Sequence, residues 1–171
     1  CDDTQVMLRA LSTMPDVIDI MAAGTAMRFL TAYLSITPGT HTITGTERMR
    51  HRPIGILVDA LRELGAAVEY AAEDGFPPLR ITGRSLQGGA LELAGSVSSQ
   101  YISALLMIAP MMEQGLTLTL TGNIVSRPYI DMTLSIMGTF GAKAGWQDGR
   151  TLRVEPVKYV PTSYTVENDW S

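Results

Sequence analysis

The chain has 171 residues, of which 46% are hydrophobic and 18% charged, a composition typical of an ordered globular protein with its own core. Its net charge of −4 argues against nucleic acid as the main partner, since proteins that bind nucleic acid usually present a basic face. One cysteine and two histidines offer too few ligands for a zinc or iron–sulfur centre, so we expect no metal.

The cellular compartment is predicted from the cysteine content and the hydropathy. The single cysteine, Cys1, fits a reducing, cytoplasmic compartment. The longest apolar run, residues 101–112, is far shorter than the ~20 residues of a membrane span, so we expect no membrane partner. The chain begins at Cys1 rather than at Met and ends at Ser171 without a natural stop, and we interpret it as a fragment of a longer protein.

Helices and strands are predicted to alternate along the first half of the chain. A capped helix begins at Asp2-Asp3-Thr4 and runs to about residue 11, before the break at Met14-Pro15. Residues 25–34 are apolar on all faces, which predicts a buried helix. An amphipathic helix begins at Pro53 and ends at Gly65. Strands are predicted at residues 17–20, 40–44, 68–71 and 79–82.

The second half of the chain repeats the same order of elements. Helices are predicted at residues 99–111 and 128–140, and Gly141 ends the second of them as Gly65 does in the first copy. Strands are predicted at residues 91–93, 116–120, 142–146 and 152–154. The pattern predicts an α+β fold of repeated β-α-β-α-β-β units, with the apolar helices packed inside the sheets. Because no linker separates the copies, we expect residues 1–171 to form one domain.

Four predicted helix starts carry polar residues suited to anions. Two are Arg-Pro steps about 75 residues apart, at Arg52 and Arg127, and two are the polar starts at Gly24 and Ser98. Helix starts have unpaired N–H groups and partial positive charge, so they attract phosphate and carboxylate groups. The sequence therefore predicts a site for small anionic ligands.

Arginine placement sharpens this hypothesis. Arg28 lies one turn into an otherwise apolar helix, where a buried guanidinium needs a partner. It either forms a structural salt bridge with Asp19 or Asp3, or is kept for an anionic ligand. Arg52 is predicted at or near a helix N-cap, a position that disfavours a cation unless an anion is bound there. Arg48 and Arg50 are better explained as residues of a solvated loop, paired with Glu47.

The polar residues of the second copy allow similar alternatives. The start of the helix near residue 99 has more hydrogen-bonding side chains than one cap needs, namely Ser98, Ser99 and Gln100. Tyr129, which follows Ser126, is either a ligand contact or a core residue with an exposed hydroxyl. We find no nucleophilic Cys, no Ser/His/Asp arrangement and no carboxylate pair, and Asp131 is predicted to be structural.

These motifs together resemble the 5-enolpyruvylshikimate-3-phosphate (EPSP) synthase family. The resemblance covers nearly the whole chain, and it depends on the ordered set of residues 23–28, 47–55, 77–80, 95–100, 126–131 and 166–167. It implies a two-domain enzyme that moves the enolpyruvyl group of phosphoenolpyruvate to shikimate-3-phosphate without a metal or organic cofactor. Each domain of the family contains three β-α-β-α-β-β units arranged as an inside-out barrel.

The resemblance also implies which part of the enzyme this chain is. It corresponds to most of the N-terminal domain: a partial first unit (1–15), a second unit (16–83), a third unit (90–160) and a crossover strand (163–171). The C-terminal domain of the same protein would be its partner, and the chain alone would be inactive because the catalytic residues lie outside it.

By the same resemblance, the site residues fall into three groups. Shikimate-3-phosphate would be held by Ser98, Ser99, Gln100, Ser126 and Tyr129. Phosphoenolpyruvate would be held by Gly24, Arg52 and Gln100, with Thr25 and Arg28 in support. The chain departs from the family pattern at Ala22 (usually Asn), Phe29 (often Pro) and Arg127 (commonly Lys).

Two other functions remain open at this point. The residues alone also fit a non-catalytic module that binds anions. The related enolpyruvyl transferase that acts on UDP-N-acetylglucosamine shares the fold, but it often has a Cys before its Arg-Pro step, and this chain has none there.

Overall fold

The computed structural model describes residues 2–167. Its helices are α1 (Asp2–Thr13), α2 (Gly24–Ile36), α3 (Glu47–Arg50), α4 (Gly55–Glu63), α5 (Ser99–Ile108) and α6 (Arg127–Thr139). Its strands are β1 (Val17–Asp19), β2 (Gly39–Thr44), β3 (Ala67–Tyr70), β4 (Leu79–Gly83), β5 (Gly89–Ala94), β6 (Leu116–Thr121), β7 (Ala144–Trp146) and β8 (Thr151–Val154). A 3₁₀ turn, Ala109–Met111, extends α5.

The strands form two open sheets with the same topology. The first has the order β1-β2-β4-β3 and the second the order β5-β6-β8-β7. In each sheet the first two strands are parallel and the remaining pairs antiparallel. The crossover between the parallel strands is α2 in one unit and α5 in the other, so the predicted β-α-β-α-β-β repeat is confirmed.

Helices α2 and α5 are the most buried helices, and α2 packs against β2 and β4. In β6, Leu116, Leu118 and Leu120 are fully buried while the threonines between them are partly or fully exposed. This alternation gives the sheet one face toward the core and one toward solvent. Helices α2 and α5 pack against each other, and α2 also contacts α1 and α4. The predicted α+β class with internal helices is confirmed.

One predicted helix start is wrong. Helix α4 begins at Gly55, not at Pro53, and the short helix α3 lies where a loop was predicted. Ile54 is the N-cap of α4: its φ of −135° is not helical, its N–H donates to the carbonyl of Gly75 over 2.9 Å, and its carbonyl accepts from the N–H of Val58 over 3.1 Å. Arg52 therefore lies on the connection between α3 and α4, near the N-cap of α4 but not at the cap itself.

Both predicted glycine stops are confirmed. Gly65 and Gly141 have φ of +108° and +89°, a left-handed conformation that glycine adopts without a steric penalty. Helix α6 begins at Arg127, one residue before the predicted start. The predicted crossover strand falls partly outside the described residues. Its described part, residues 163–167, has no regular secondary structure.

Candidate anion-binding site

Two guanidinium groups meet over the first residue of α2. A Cβ atom built on Gly24 would lie 2.7 Å from Nη1 of Arg52 and 2.9 Å from Nη1 of Arg28. Gly24 begins the helix, so its backbone N–H has no acceptor within the helix. Two like charges held close together near a protein surface repel each other. An anion bound here would relieve that repulsion.

Arg28 is only partly satisfied by the protein. Its Nη1 donates to the carbonyl of Gly24 over 2.8 Å, and its guanidinium carbon lies 5.3 Å from the centre of the Tyr101 ring. Its Nε is buried and has no hydrogen-bond partner among the described residues. A buried donor without a partner costs about 1–3 kcal/mol, which argues for a role beyond packing.

The predicted salt bridge from Arg28 to Asp19 or Asp3 is wrong. Both carboxylates accept backbone hydrogen bonds instead. Asp19 accepts from the N–H of Met21, and Asp3 accepts from the N–H of Ala26 across the first turn of α2. Asp3 thus acts as a cap for α2, which has no capping side chain of its own. The alternative that involves a ligand stays a prediction.

Arg52 is exposed, and its side chain has no hydrogen-bond or ion-pair partner within residues 2–167. Arg48 and Arg50 are also exposed, as predicted, but the predicted pairing with Glu47 is absent there. The one ion pair in the described part of the chain joins Arg153 to Glu155 over 3.2 Å. Among the residues that the structure describes, Arg52 is therefore a cation without a partner, and it lies beside the start of a helix.

The start of α5 lies next to the start of α2. Ser98 is the N-cap of α5, and its hydroxyl accepts from the N–H of Gln100 over 3.3 Å. The Gln100 side chain donates from Nε2 to Oγ1 of Thr25 over 2.9 Å. Because Thr25 follows Gly24, this bond brings Ser99 and Gln100 of the second unit next to the arginines of the first.

A cavity of about 330 Å³ opens between α2, α5 and α6. Its polar lining residues are Thr25, Ser99, Gln100, Ser103, Tyr129 and Thr133. The alternative that places Tyr129 in the core is wrong, because 61% of this residue is exposed. The hydroxyls of Ser103 and Thr133 lie 2.7 Å apart and are buried. Sequence reasoning missed Ser103, although it lies one turn after Ser99 and so shares its helix face.

Two predicted site residues lie at the helix caps, outside the lining of this cavity. They are Ser98 at α5 and Ser126 at α6, and the Ser126 side chain makes no capping hydrogen bond. Arg127 turns away to stack on Trp146, with its guanidinium carbon 4.0 Å from the ring centre, and it donates to the carbonyl of Gly149. The predicted structural role of Asp131 is confirmed, since Trp146 donates to its carboxylate over 2.7 Å.

The fold and the site define a class of protein: an α+β domain of repeated β-α-β-α-β-β units in which two helix starts and two arginines lie close together. The family model described as EPSP synthase (3-phosphoshikimate 1-carboxyvinyltransferase) matches residues 4–171. The chain belongs to this family, and the predicted resemblance is confirmed. The comparisons do not support the alternative of an enzyme that acts on UDP-N-acetylglucosamine.

Individual relatives agree with this assignment. A 3-phosphoshikimate 1-carboxyvinyltransferase of Bacteroides fragilis is 64% identical over all 171 residues, which cover 42% of the relative. The enzyme of that name from Shewanella pealeana is 48% identical over 151 residues, which are 87% of this chain and 35% of the relative. The structure of EPSP synthase from Acinetobacter baumannii superimposes with a TM-score of 0.73 at 25% identity, over 85% of this chain and 32% of that one.

The chain therefore spans about two fifths of the length of the Bacteroides relative. Within residues 2–167, no helix is long and apolar enough to cross a membrane.

Proposed function

We propose that this chain is the substrate-binding part of a cytoplasmic enzyme that transfers the enolpyruvyl group of phosphoenolpyruvate to shikimate-3-phosphate and releases phosphate. The observation that carries the proposal is the meeting of Arg28 and Arg52 over Gly24, beside a cavity lined by Ser99, Gln100 and Tyr129. Two neighbouring anion sites are what a reaction between two anionic substrates requires. The names of the relatives supply the identity of the substrates.

The proposed ligand contacts divide between the two repeat units. Phosphoenolpyruvate is bound by the backbone N–H of Gly24, the guanidinium of Arg52 and the amide of Gln100. Thr25 and Arg28 support this subsite through their contacts with Gln100 and Gly24. Shikimate-3-phosphate is bound by the residues at the starts of α5 and α6, which are Ser98, Ser99, Gln100, Ser126 and Tyr129.

The chemical contribution of these residues is charge neutralisation and orientation. Two anions repel each other in water, and fixed cations and helix N–H groups can hold them close together in a productive geometry. We propose that the reaction is an addition followed by elimination of phosphate, without a metal or organic cofactor. The acid–base groups come from a partner domain of the same protein, which closes over the substrates.

We further propose that the chain forms a single domain. The two units share one layer of helices, because α2 of the first packs against α5 of the second. Hydrogen bonds also cross between the units, from Gln100 to Thr25 and from Tyr101 to Pro53. Separating the units would expose these apolar helix faces to water.

The experiment is to replace the matching 171 residues of the Bacteroides fragilis enzyme with this chain and to measure phosphate release. We expect release that requires both substrates. Arg52→Ala should raise the KM for phosphoenolpyruvate at least tenfold, about 1.4 kcal/mol, because a charge-assisted hydrogen bond is lost. Arg48→Ala is the matched control, since it removes the same charge from an exposed site nearby and should change little.

Two results would contradict the proposal. A folded chimera that releases no phosphate with both substrates would favour the non-catalytic module that binds anions. An unchanged KM in Arg52→Ala would remove the role of that residue. For the isolated chain we expect weak binding of shikimate-3-phosphate and no turnover, and an absence of heat at millimolar ligand in calorimetry would count against the assigned subsite.

A further inference from the structure

We infer that Tyr101 is a positioning residue that fixes Arg52 and Arg28 for their anionic ligand. This inference depends on the proposed function, because it assigns a role within the same site. Tyr101 lies in the first turns of α5 and only 8% of it is exposed. Neither its burial nor its place in an apolar helix requires a hydroxyl, since phenylalanine would fill the same space.

The hydroxyl of Tyr101 lies beside the Arg52-Pro53 step. It donates to the carbonyl of Pro53 over 2.8 Å, across 48 residues of sequence. Proline has no N–H, so this carbonyl is the polar backbone group through which Pro53 can be held. A bond from a buried side chain of the second unit therefore fixes the residue that follows Arg52 in the first.

The backbone on both sides of Pro53 is held in the same way. Arg52 donates its N–H to the carbonyl of Met49 over 3.0 Å, and Ile54 donates to the carbonyl of Gly75 over 2.9 Å. The Arg52 side chain itself has no hydrogen-bond or ion-pair partner within residues 2–167. The side chain is thus anchored only through the backbone that carries it, and Tyr101 supplies a bond to that backbone from α5.

The ring of the same tyrosine supports the second arginine. The guanidinium carbon of Arg28 lies 5.3 Å from the ring centre, within the range of a cation–π interaction. Stacking on a ring restrains a guanidinium without neutralising its charge, whereas a carboxylate partner would neutralise it. One side chain therefore holds both cations near Gly24 and leaves their charge available to an anion.

The first test compares Tyr101→Phe with Tyr159→Phe in the chimera described above. Tyr159 is the matched control because its hydroxyl also donates to a backbone carbonyl, that of Met107, over 2.6 Å. In Tyr101→Phe we expect the KM for phosphoenolpyruvate to rise roughly 3- to 10-fold, the range that one hydrogen bond produces. The kcat and the KM for shikimate-3-phosphate should stay within about twofold. Tyr159→Phe should change neither KM.

The outcomes separate the two proposals. A folded wild-type chimera without phosphate release contradicts the proposed function. If the chimera is active, two results for Tyr101→Phe overturn the role of Tyr101. One is an unchanged KM for phosphoenolpyruvate. The other is an equal rise of both KM values, as a general loss of stability would produce.

A second measurement does not depend on activity. In the 171-residue chain labelled with ¹⁵N, the Nε–H signal of Arg52 is assigned by its loss in Arg52→Lys. We expect this signal to shift or broaden in Tyr101→Phe and to stay in place in Tyr159→Phe. The phenylalanine ring remains under Arg28, so the Arg28 signal should change less than that of Arg52. An Arg52 signal that is identical in Tyr101→Phe and the parent overturns the inference.

Discussion

The side chain of Gln100 donates a hydrogen bond to Oγ1 of Thr25 over 2.9 Å, across 75 residues of sequence. It joins the first turns of α2 and α5, which belong to different repeat units. The starts of these two helices carry the groups proposed to bind the two substrates. The bond therefore lies where the two subsites meet.

A double-mutant cycle measures this bond. Thr25→Val and Gln100→Leu should each lower the free energy of unfolding, and the double variant should lose less than the sum. We expect a coupling of about 0.5–1.5 kcal/mol in urea unfolding, the net value of one hydrogen bond. Thr25→Ser retains the hydroxyl and serves as the control. Strictly additive losses would show that the bond contributes nothing.

Gly24→Ala should impair binding far more than stability. The added Cβ would lie 2.7 Å from Nη1 of Arg52 and 2.9 Å from Nη1 of Arg28, so both guanidiniums must move away from the start of α2. They are the ends of flexible side chains, so the free energy of unfolding should change by less than about 1 kcal/mol. The KM for phosphoenolpyruvate should rise roughly tenfold or more.

Gly138→Ala is the matched control for this prediction. Gly138 also lies in a helix, and a Cβ built there meets nothing within 4 Å. Alanine is favoured over glycine inside a helix, so unfolding should cost about 0.5–1 kcal/mol more and binding should not change. Equal effects of the two variants on the KM would contradict the proposed role of the Gly24 site.

The alkaline limit of stability should depend on Tyr159. Burial raises the pKa of Tyr159 to about 12, from the ordinary value of 10.0. The folded protein therefore keeps this proton at a pH where the unfolded chain loses it. The stabilisation is complete below about pH 10 and is lost as the pH rises toward 12.

Tyr159→Phe removes this titration. It also removes the hydrogen bond to Met107, so near pH 8 the variant should be less stable by about 1 kcal/mol. Urea midpoints measured from pH 8 to 11.5 should show the difference shrinking above pH 10. A constant difference would contradict the raised pKa. The pKa of Tyr70 is also raised, mainly by burial. Tyr70 is present in both the parent and Tyr159→Phe, so its contribution cancels in the difference between their stabilities.

The contact between Asp131 and Trp146 should stabilise the packing of α6 on β7. Because the carboxylate is exposed, Asp131→Ala should lower the free energy of unfolding by only about 1 kcal/mol. Asp131→Asn keeps an acceptor oxygen and should lose less. In a Trp170→Phe background, the fluorescence of Trp146 should shift to longer wavelength in Asp131→Ala. Equal stability of Asp131→Ala and Asp131→Asn would contradict this role.

The sequence by itself determined the order of elements and the class of fold. Hydrophobic period and turn residues act over a few positions, so they predicted the buried helices α2 and α5, the alternating strand β6 and the ends at Gly65 and Gly141. It also identified Arg28 as exceptional, because a cation in an apolar helix violates a local rule. The motifs then indicated the family, which the comparisons confirmed.

Only the tertiary structure decided how the site is assembled. Local pattern placed Pro53 at the helix start, but the N–H of Ile54 binds the carbonyl of Gly75 and the helix begins at Gly55, with Ile54 as its cap. Arg28 contacts the carbonyl of Gly24 and an aromatic ring of the other unit, rather than Asp19 or Asp3. Such contacts join residues that are not neighbours in sequence, and they form only when the chain packs into its tertiary structure, which no local period encodes.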